Sequence, residues 1–253
     1  MKGKIVDSAV KVDAAQAAAR SAMYQILSRL FFYPAEMAAL PLAEVAAELR
    51  RRLEALPGDQ SEFAGLMGEV DAVASMPEPA LRSVFTALFD NCRGRAAVSL
   101  YEKDYGNGEA KAVWEEVVRF YEHFGLSFDV RVSRDWPDHI GTELEFMHYL
   151  TYVEAVAEQD VGIYRQAQGD FLARHLARWA PRFAAQLSGG QEAGPYGIFA
   201  RLVAAFIKAE MAYLGRTCES GAPWIPQREA QAGLQGKAWI PIVEASALET
   251  FDY

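Results

Sequence analysis

Within Asp135–Leu150, read DWPDHIGTELEFMHYL, a carboxylate and an imidazole stand side by side as Asp138 and His139. Such a pair can accept hydrogen bonds from Arg or Lys, and a forked guanidinium suits a carboxylate especially well. Pro137 just before them fits the first turn of a helix, where unpaired backbone N–H groups favour an acid. Two readings follow. In one, Asp135 or Asp138 only caps the helix and His139 lies exposed. In the other, Asp138 and His139 point into a groove beside an irregular loop and bind a ligand.

Other chemistries find less support. Glu145 and His148 form an E-x-x-H pair, the unit from which helical bundles build di-iron sites. A second pair is missing, because none of His123, His139 and His175 has a Glu three residues before it. A zinc site from His139, Glu143 and His148 lacks a known ligand spacing. There is no G-x-S-x-G, no Walker A sequence and no dinucleotide fingerprint. Gly106 and Gly108 form a short turn, not a phosphate cradle. Cys92 and Cys218 stand far apart without a CxxC, which reads as reduced and structural. No catalysis and no bound cofactor are expected.

The elements that must position these residues are helical. Of 253 residues, 51% are hydrophobic, and β-branched residues rarely come in runs. Apolar periodicity predicts eight helices. They run from about Asp13 to Tyr33, Leu42 to Leu56, Phe63 to Val73, Leu81 to Phe89, Glu109 to Phe124, Pro137 to Glu158, Val161 to Leu187 with a bend at Pro181, and Ile198 to Leu214. The sixth is apolar on much of its circumference and belongs at the centre of a bundle. Arg50, Arg51 and Arg52 read as a solvated face. Ser99–Gly108 (SLYEKDYGNG) and Ser127–Trp136 read as irregular, and Ser188–Pro195 as a Gly-rich linker.

The expected architecture is therefore all-α: one helical domain over residues 1–216, with two lobes meeting near the Ser99–Gly108 hinge, and an irregular tail over 217–253. In that tail Trp224, Ile225, Trp239 and Ile240 are too apolar for an inert linker and should dock on the bundle or on a partner. The net charge of −9 argues against nucleic acid. It fits either plain solubility or the capture of a basic peptide. No apolar run reaches the length of a membrane span, and Met1–Asp13 lacks the apolar centre of a secretory signal, so a cytoplasmic location is expected.

Trp136–Gly141, followed by Glu143–Met147 and Leu150, resembles the signature of the TorD/DmsD/NarJ family of molybdoenzyme maturation chaperones. Tyr101–Gly106 (YEKDYG) resembles that family's second recognition stretch, a short loop with aromatics. Tyr24–Pro34 and the Phe171–Phe183 helix, with His175 and Trp179, sit in the expected order. The resemblance covers about Asp13 to Gly215 and implies an all-α protein, monomeric or helix-swapped. It implies binding of the apo catalytic subunit of a molybdopterin oxidoreductase and its twin-arginine signal peptide. It also implies that Asp138 and His139 bind peptide, alongside Trp136 and Pro137, with Tyr101 and Tyr105 as aromatic loop positions by location. The chain departs from the commoner form in having Tyr105 where an aliphatic-aromatic pair is usual, with Asp104 beside it. The pattern looks nearest to chaperones for enzymes of the dimethyl sulfide, ethylbenzene or chlorate type.

Physical chemistry supports such a ligand. Two cations and a short apolar stretch need an acidic rim, here Glu102, Asp104, Asp135 and Asp138. They also need an apolar floor, here Tyr101, Tyr105, Trp114 and Trp136. On this reading, replacing Asp138 and His139 by Ala weakens client binding and leaves melting nearly unchanged. A purely structural helical adaptor is the alternative for which this pair has no evident use.

Overall fold

The computed structural model describes residues 2–34, 41–56, 60–90, 96–106, 109–133, 135–157, 159–188, 193–218 and 224. Among these lie ten α-helices: α1 Lys2–Arg29, α2 Leu42–Glu54, α3 Ser61–Val73, α4 Glu78–Phe89, α5 Ala110–His123, α6 Val130–Ser133, α7 Ile140–Val156, α8 Val161–Arg174, α9 Leu176–Ser188 and α10 Gly194–Tyr213. A single 3-10 turn, Glu102–Asp104, precedes α5. The all-α expectation holds, with two more helices than predicted: the short α6, and a second one gained where α8 and α9 separate.

α7 is the axis. Ile140, Leu144, Phe146, Met147, Leu150 and Val153 are buried on several sides of it, as a helix apolar all round requires. α1 lies along α7, α8 packs on another flank, and α9 and α10 pair with each other. α9 shows how sequence spacing sets its pose: Leu176, Trp179, Ala180, Phe183, Ala184 and Leu187 form the buried stripe, while Arg178 and Arg182 face solvent. One contiguous apolar core joins every helix but the short α6, so the two ends of the bundle share a single interior. The Arg50–Arg52 triplet lies on a solvated face, paired with Asp71 and Glu48.

Several boundaries move, each for a local reason. α1 begins at Lys2 rather than near Asp13. Extending an existing helix costs far less than nucleating one, so no apolar stripe is needed there. The single helix expected from Val161 to Leu187 is broken at His175 (φ −116°, ψ −96°), and Pro181, the expected bend, sits inside α9. Proline lacks the N–H that would reach the carbonyl four residues back. That carbonyl, on Ala177, accepts instead from the free Cys218 thiol at 3.7 Å. α7 starts at Ile140, three residues after Pro137, because Pro137 and Asp138 form a turn and His139 is drawn into extended backbone.

Trp224 docks on the bundle, stacked on Phe120 at 3.9 Å, with its indole N–H reaching Asp170. Ile225, Trp239, Ile240, Cys92, the Pro57-Gly58 helix end, turn positions Asn107 and Gly108, linker positions 189–192 and tail positions 219–223 and 225–253 lie outside the described residues.

A buried polar knot joins four helices. Arg20 of α1 is fully buried. Its Nε donates to Glu210 Oε1 at 2.8 Å, and its two Nη groups reach Glu154 and Gln168 at 3.0 and 2.5 Å. Tyr24 Oη also donates to Glu210, at 3.0 Å. Burial works to lower the Arg20 pKa, but the Glu210 charge and hydrogen bonds win and hold the guanidinium above its ordinary value.

Candidate functional site

The predicted loop and the predicted helix start do meet. Ile140 N–H donates to Leu100 O at 2.9 Å and Glu102 N–H to Asp138 O at 3.0 Å, an antiparallel bridge centred on Tyr101 and His139. Beneath it, Tyr121 Oη donates to Pro137 O at 2.9 Å. This seam pulls Pro137–His139 out of helical backbone and delays α7.

Asp138 is fully buried and holds the seam from inside. Its Oδ2 accepts the Lys103 N–H at 3.0 Å and its Oδ1 accepts the Trp114 indole N–H at 2.7 Å. Burial pushes its carboxyl above the usual carboxylate range, with the Lys103 and Trp114 bonds pulling the other way. His139 is also buried, contrary to the expectation of an exposed ring. It caps α7: Nδ1 accepts from Gly141 N–H at 3.1 Å. Nε2 then lies 3.7 Å from Asp135 Oδ2. Burial lowers its pKa, which keeps the ring neutral, with Nε2 carrying the proton. The ring stacks on Phe32 at 5.2 Å. Gly141 is required there, since a Cβ would come within 2.6 Å of the Phe32 ring.

The helix start is capped, as one of the two readings expects. The cap is His139, not an aspartate, and the side chains of the pair point inward. What faces outward at this point is Trp136, 40% exposed and stacked on Trp114 at 4.2 Å with 4° between the rings. Tyr101 adjoins it, hydrogen-bonded to Asp135, and burial with the Asp135 charge raises its pKa. Lys103 Nζ hangs over the Tyr101 ring at 4.2 Å.

The expected rim and floor divide differently from the prediction. Asp104 is exposed and bonded to Ser99, and Asp135 is partly exposed. Glu102 is buried instead, with an oxygen 2.8 Å from His175 Nδ1. Tyr105 turns inward: its ring lies 5.3 Å from Trp179, and its hydroxyl donates to Ser99 O at 2.7 Å. Glu143, fully buried beside Glu102, receives the Trp179 indole N–H at 3.1 Å. Burial first, then the Glu102 charge, hold the Glu143 carboxyl well above its ordinary value. So the loop block and the α8–α9 block, far apart in sequence, share one buried acid–imidazole–indole cluster. Residue types mark both blocks in the sequence, but no local signal carries their contact.

A cavity of about 480 Å³ lies elsewhere, lined by Leu30, Leu42, Val45, Met76, Leu81 and Tyr196. Among the described residues, no three His, Cys, Asp or Glu side chains converge to hold a metal ion. His148, half of the E-x-x-H pair, instead engages Ser21, with Ser21 Oγ 2.8 Å from Nδ1. Burial above all, and the Arg29 charge, lower its pKa from 6.5 to about 4. The unfolded chain therefore takes this proton below about pH 6.5 and the folded chain only near pH 4, so stability is lost as pH falls through that window. His148→Asn should remove this dependence. Between pH 7 and pH 4.5 the wild type should lose about 2 kcal/mol more than the variant in urea unfolding. Parallel pH profiles would exclude the buried-imidazole account.

Residues 42–185, more than half of the chain, match the family described as nitrate reductase delta subunit. The selenate reductase assembly chaperone protein of Thauera selenatis is 36% identical over 53% of this chain and 70% of its own length. The chlorate reductase assembly chaperone protein of Ideonella dechloratans is 35% identical over 42% of this chain and 57% of its own length. The chaperone protein TorD of Vibrio cholerae is 28% identical over 76% of this chain and 90% of its own length. The chain thus spans between about half and nine-tenths of these relatives. No helix among the described residues is long and apolar enough to cross a membrane. On this match the chain belongs to the nitrate reductase delta subunit family, within the TorD/DmsD/NarJ chaperones.

Proposed function

We propose that this protein is a cytoplasmic assembly chaperone, not an enzyme. It binds the apo catalytic subunit of a molybdopterin-containing oxidoreductase and that subunit's twin-arginine signal peptide, and delays export until the cofactor is loaded. Relatives named as selenate and chlorate reductase assembly chaperones support a client of that type. The observation that carries the site is the exposed Trp136, stacked on Trp114 and anchored from below by Asp138. Large aromatic rings with a wet edge are what interfaces use as anchors. Asp104 and Asp135 give the neighbouring acidic rim for two cations. Asp138, His139, Pro137 and Tyr105 act on the client by holding this surface in shape.

A chaperone must release its client, so micromolar affinity, about −8 kcal/mol, is expected. The test is co-purification from the native host with identification of the captured subunit. Wild-type protein should recover a molybdenum-enzyme catalytic subunit, and Trp136→Ala should reduce that recovery at least about tenfold while barely moving thermal unfolding, because the ring is a surface anchor. Equal recovery by the variant removes Trp136 from the site; recovery of no such subunit removes the chaperone reading.

A further inference from the structure

Lys103 occupies an unusual place. Its ammonium lies 4.2 Å from the Tyr101 ring centroid, 5.3 Å from Trp114 and 5.7 Å from Trp136. All three distances fall within the reach of cation–π attraction. Among the described residues it forms no ion pair, although Asp104, Asp135 and Asp138 are all close in the chain or the fold. The three rings hold it at contact distance, and the Asp138 charge attracts it from further off.

The arrangement is built rather than incidental. Asp138 places both parts at once: one oxygen takes the Trp114 indole N–H and the other takes the Lys103 backbone N–H. Trp136 is then stacked on Trp114, nearly parallel, and the Tyr101 hydroxyl is tied to Asp135. A single buried carboxylate therefore sets the spacing between an aromatic box and the cation that fills it.

We infer that Tyr101, Trp114 and Trp136 form a cation-binding box for an arginine side chain of the client, and that Lys103 is the chain's own occupant, displaced when the client binds. This rests on the reading that the Trp136 surface receives the client peptide. The chemistry favours the exchange in that direction. An ammonium is compact and strongly hydrated, on a flexible stem that can swing out to water. A guanidinium is planar, less hydrated and able to stack on indole faces. Lys103 thus keeps the aromatic surface covered while empty of client and sets a threshold that only a better cation passes.

The experiment uses the full chain and a synthetic peptide carrying an Arg-Arg pair ahead of a short apolar run, with a Gln-Gln version as control. Lys103→Met removes the occupant and should tighten Arg-Arg binding about two- to fivefold. Lys103→Arg supplies a better occupant of equal charge and should weaken it by a similar factor. Plain charge repulsion predicts tightening in the first variant and no change in the second. Lys111→Met, at an exposed lysine three residues from Trp114 and paired with Glu115, gives the effect of removing a nearby cation outside the box. In the free protein, the Lys103 side-chain methylene proton resonances should be shifted upfield by the rings, and should return to ordinary lysine positions with peptide bound.

If Lys103→Arg binds like wild type, or the free-protein resonances are unshifted, the inference is overturned. If Trp136→Ala leaves peptide binding intact, the docking surface itself is wrong. If Trp136→Ala abolishes binding while every Lys103 variant matches wild type, the surface stands and the displaced-lysine idea falls.

Discussion

Arg20→Met should destabilise the protein by about 3–5 kcal/mol, the usual cost of leaving a buried charge without its partner. The side chain is fully enclosed and is the cation shared by Glu210, Glu154, Gln168 and, through Glu210, Tyr24. Methionine fills much of the volume, so the loss is electrostatic rather than a cavity. Glu154 keeps Arg165, which is partly exposed, but Glu210 keeps only a tyrosine hydroxyl. Native domains are stable by about 5–15 kcal/mol, so the variant should unfold at much lower urea. Pairing the change with Glu210→Met should recover part of the loss, because an apolar pair replaces the orphaned acid. A single variant within about 1 kcal/mol of wild type would show that the knot does not hold α1, α7, α8 and α10 together.

Nothing in the sequence announced that knot. Arg20 follows a run of alanines, and Glu154, Gln168 and Glu210 carry no local pattern that marks burial. Periodicity reads apolar faces; it is silent on a charge that turns inward to meet charges over a hundred residues away. The helices themselves were legible for the opposite reason. α9 and α7 write their buried faces directly in the spacing of Leu, Trp and Phe. Pro181 stays inside α9 without ending it. Here the break falls at His175, whose side chain is drawn to Glu102 across the bundle, a tertiary cause that no local signal carries.

The candidate site was legible in identity more than in direction. Residue types picked out Asp138, His139, Trp136 and Tyr101, and the structure gathers all four at one seam. Which way each side chain points depends on the bridge between Leu100–Glu102 and Asp138–Ile140, and backbone pairing between a loop and a helix start leaves no periodic trace. Glu102 and Tyr105 turned inward for the same reason, toward His175 and Trp179. Lys103 went unnoticed because a lone lysine beside acids reads as a solvated charge.

That inward direction reverses the expected outcome of the most direct mutation. Asp138→Ala should now cost stability, about 2–4 kcal/mol, instead of leaving melting untouched, since two donors at least partly shielded from water lose their acceptor. Burial outweighs those bonds in setting the Asp138 pKa, so the carboxylate is itself costly to place, and that cost offsets part of what its contacts contribute. Asp138→Asn separates the two effects. Its single amide oxygen can serve Trp114 or Lys103 but not both, while its lost charge relieves the burial cost, so it should fall between wild type and alanine. Client binding should drop in both variants, because the Trp114–Trp136 stack and Lys103 lose their common anchor. Stability and binding therefore fall together at Asp138 and apart at Trp136. Urea unfolding and peptide titration on the same samples distinguish an acid that shapes the surface from one that touches the client. An alanine variant that melts like wild type and still fails to bind would restore direct contact as Asp138's role.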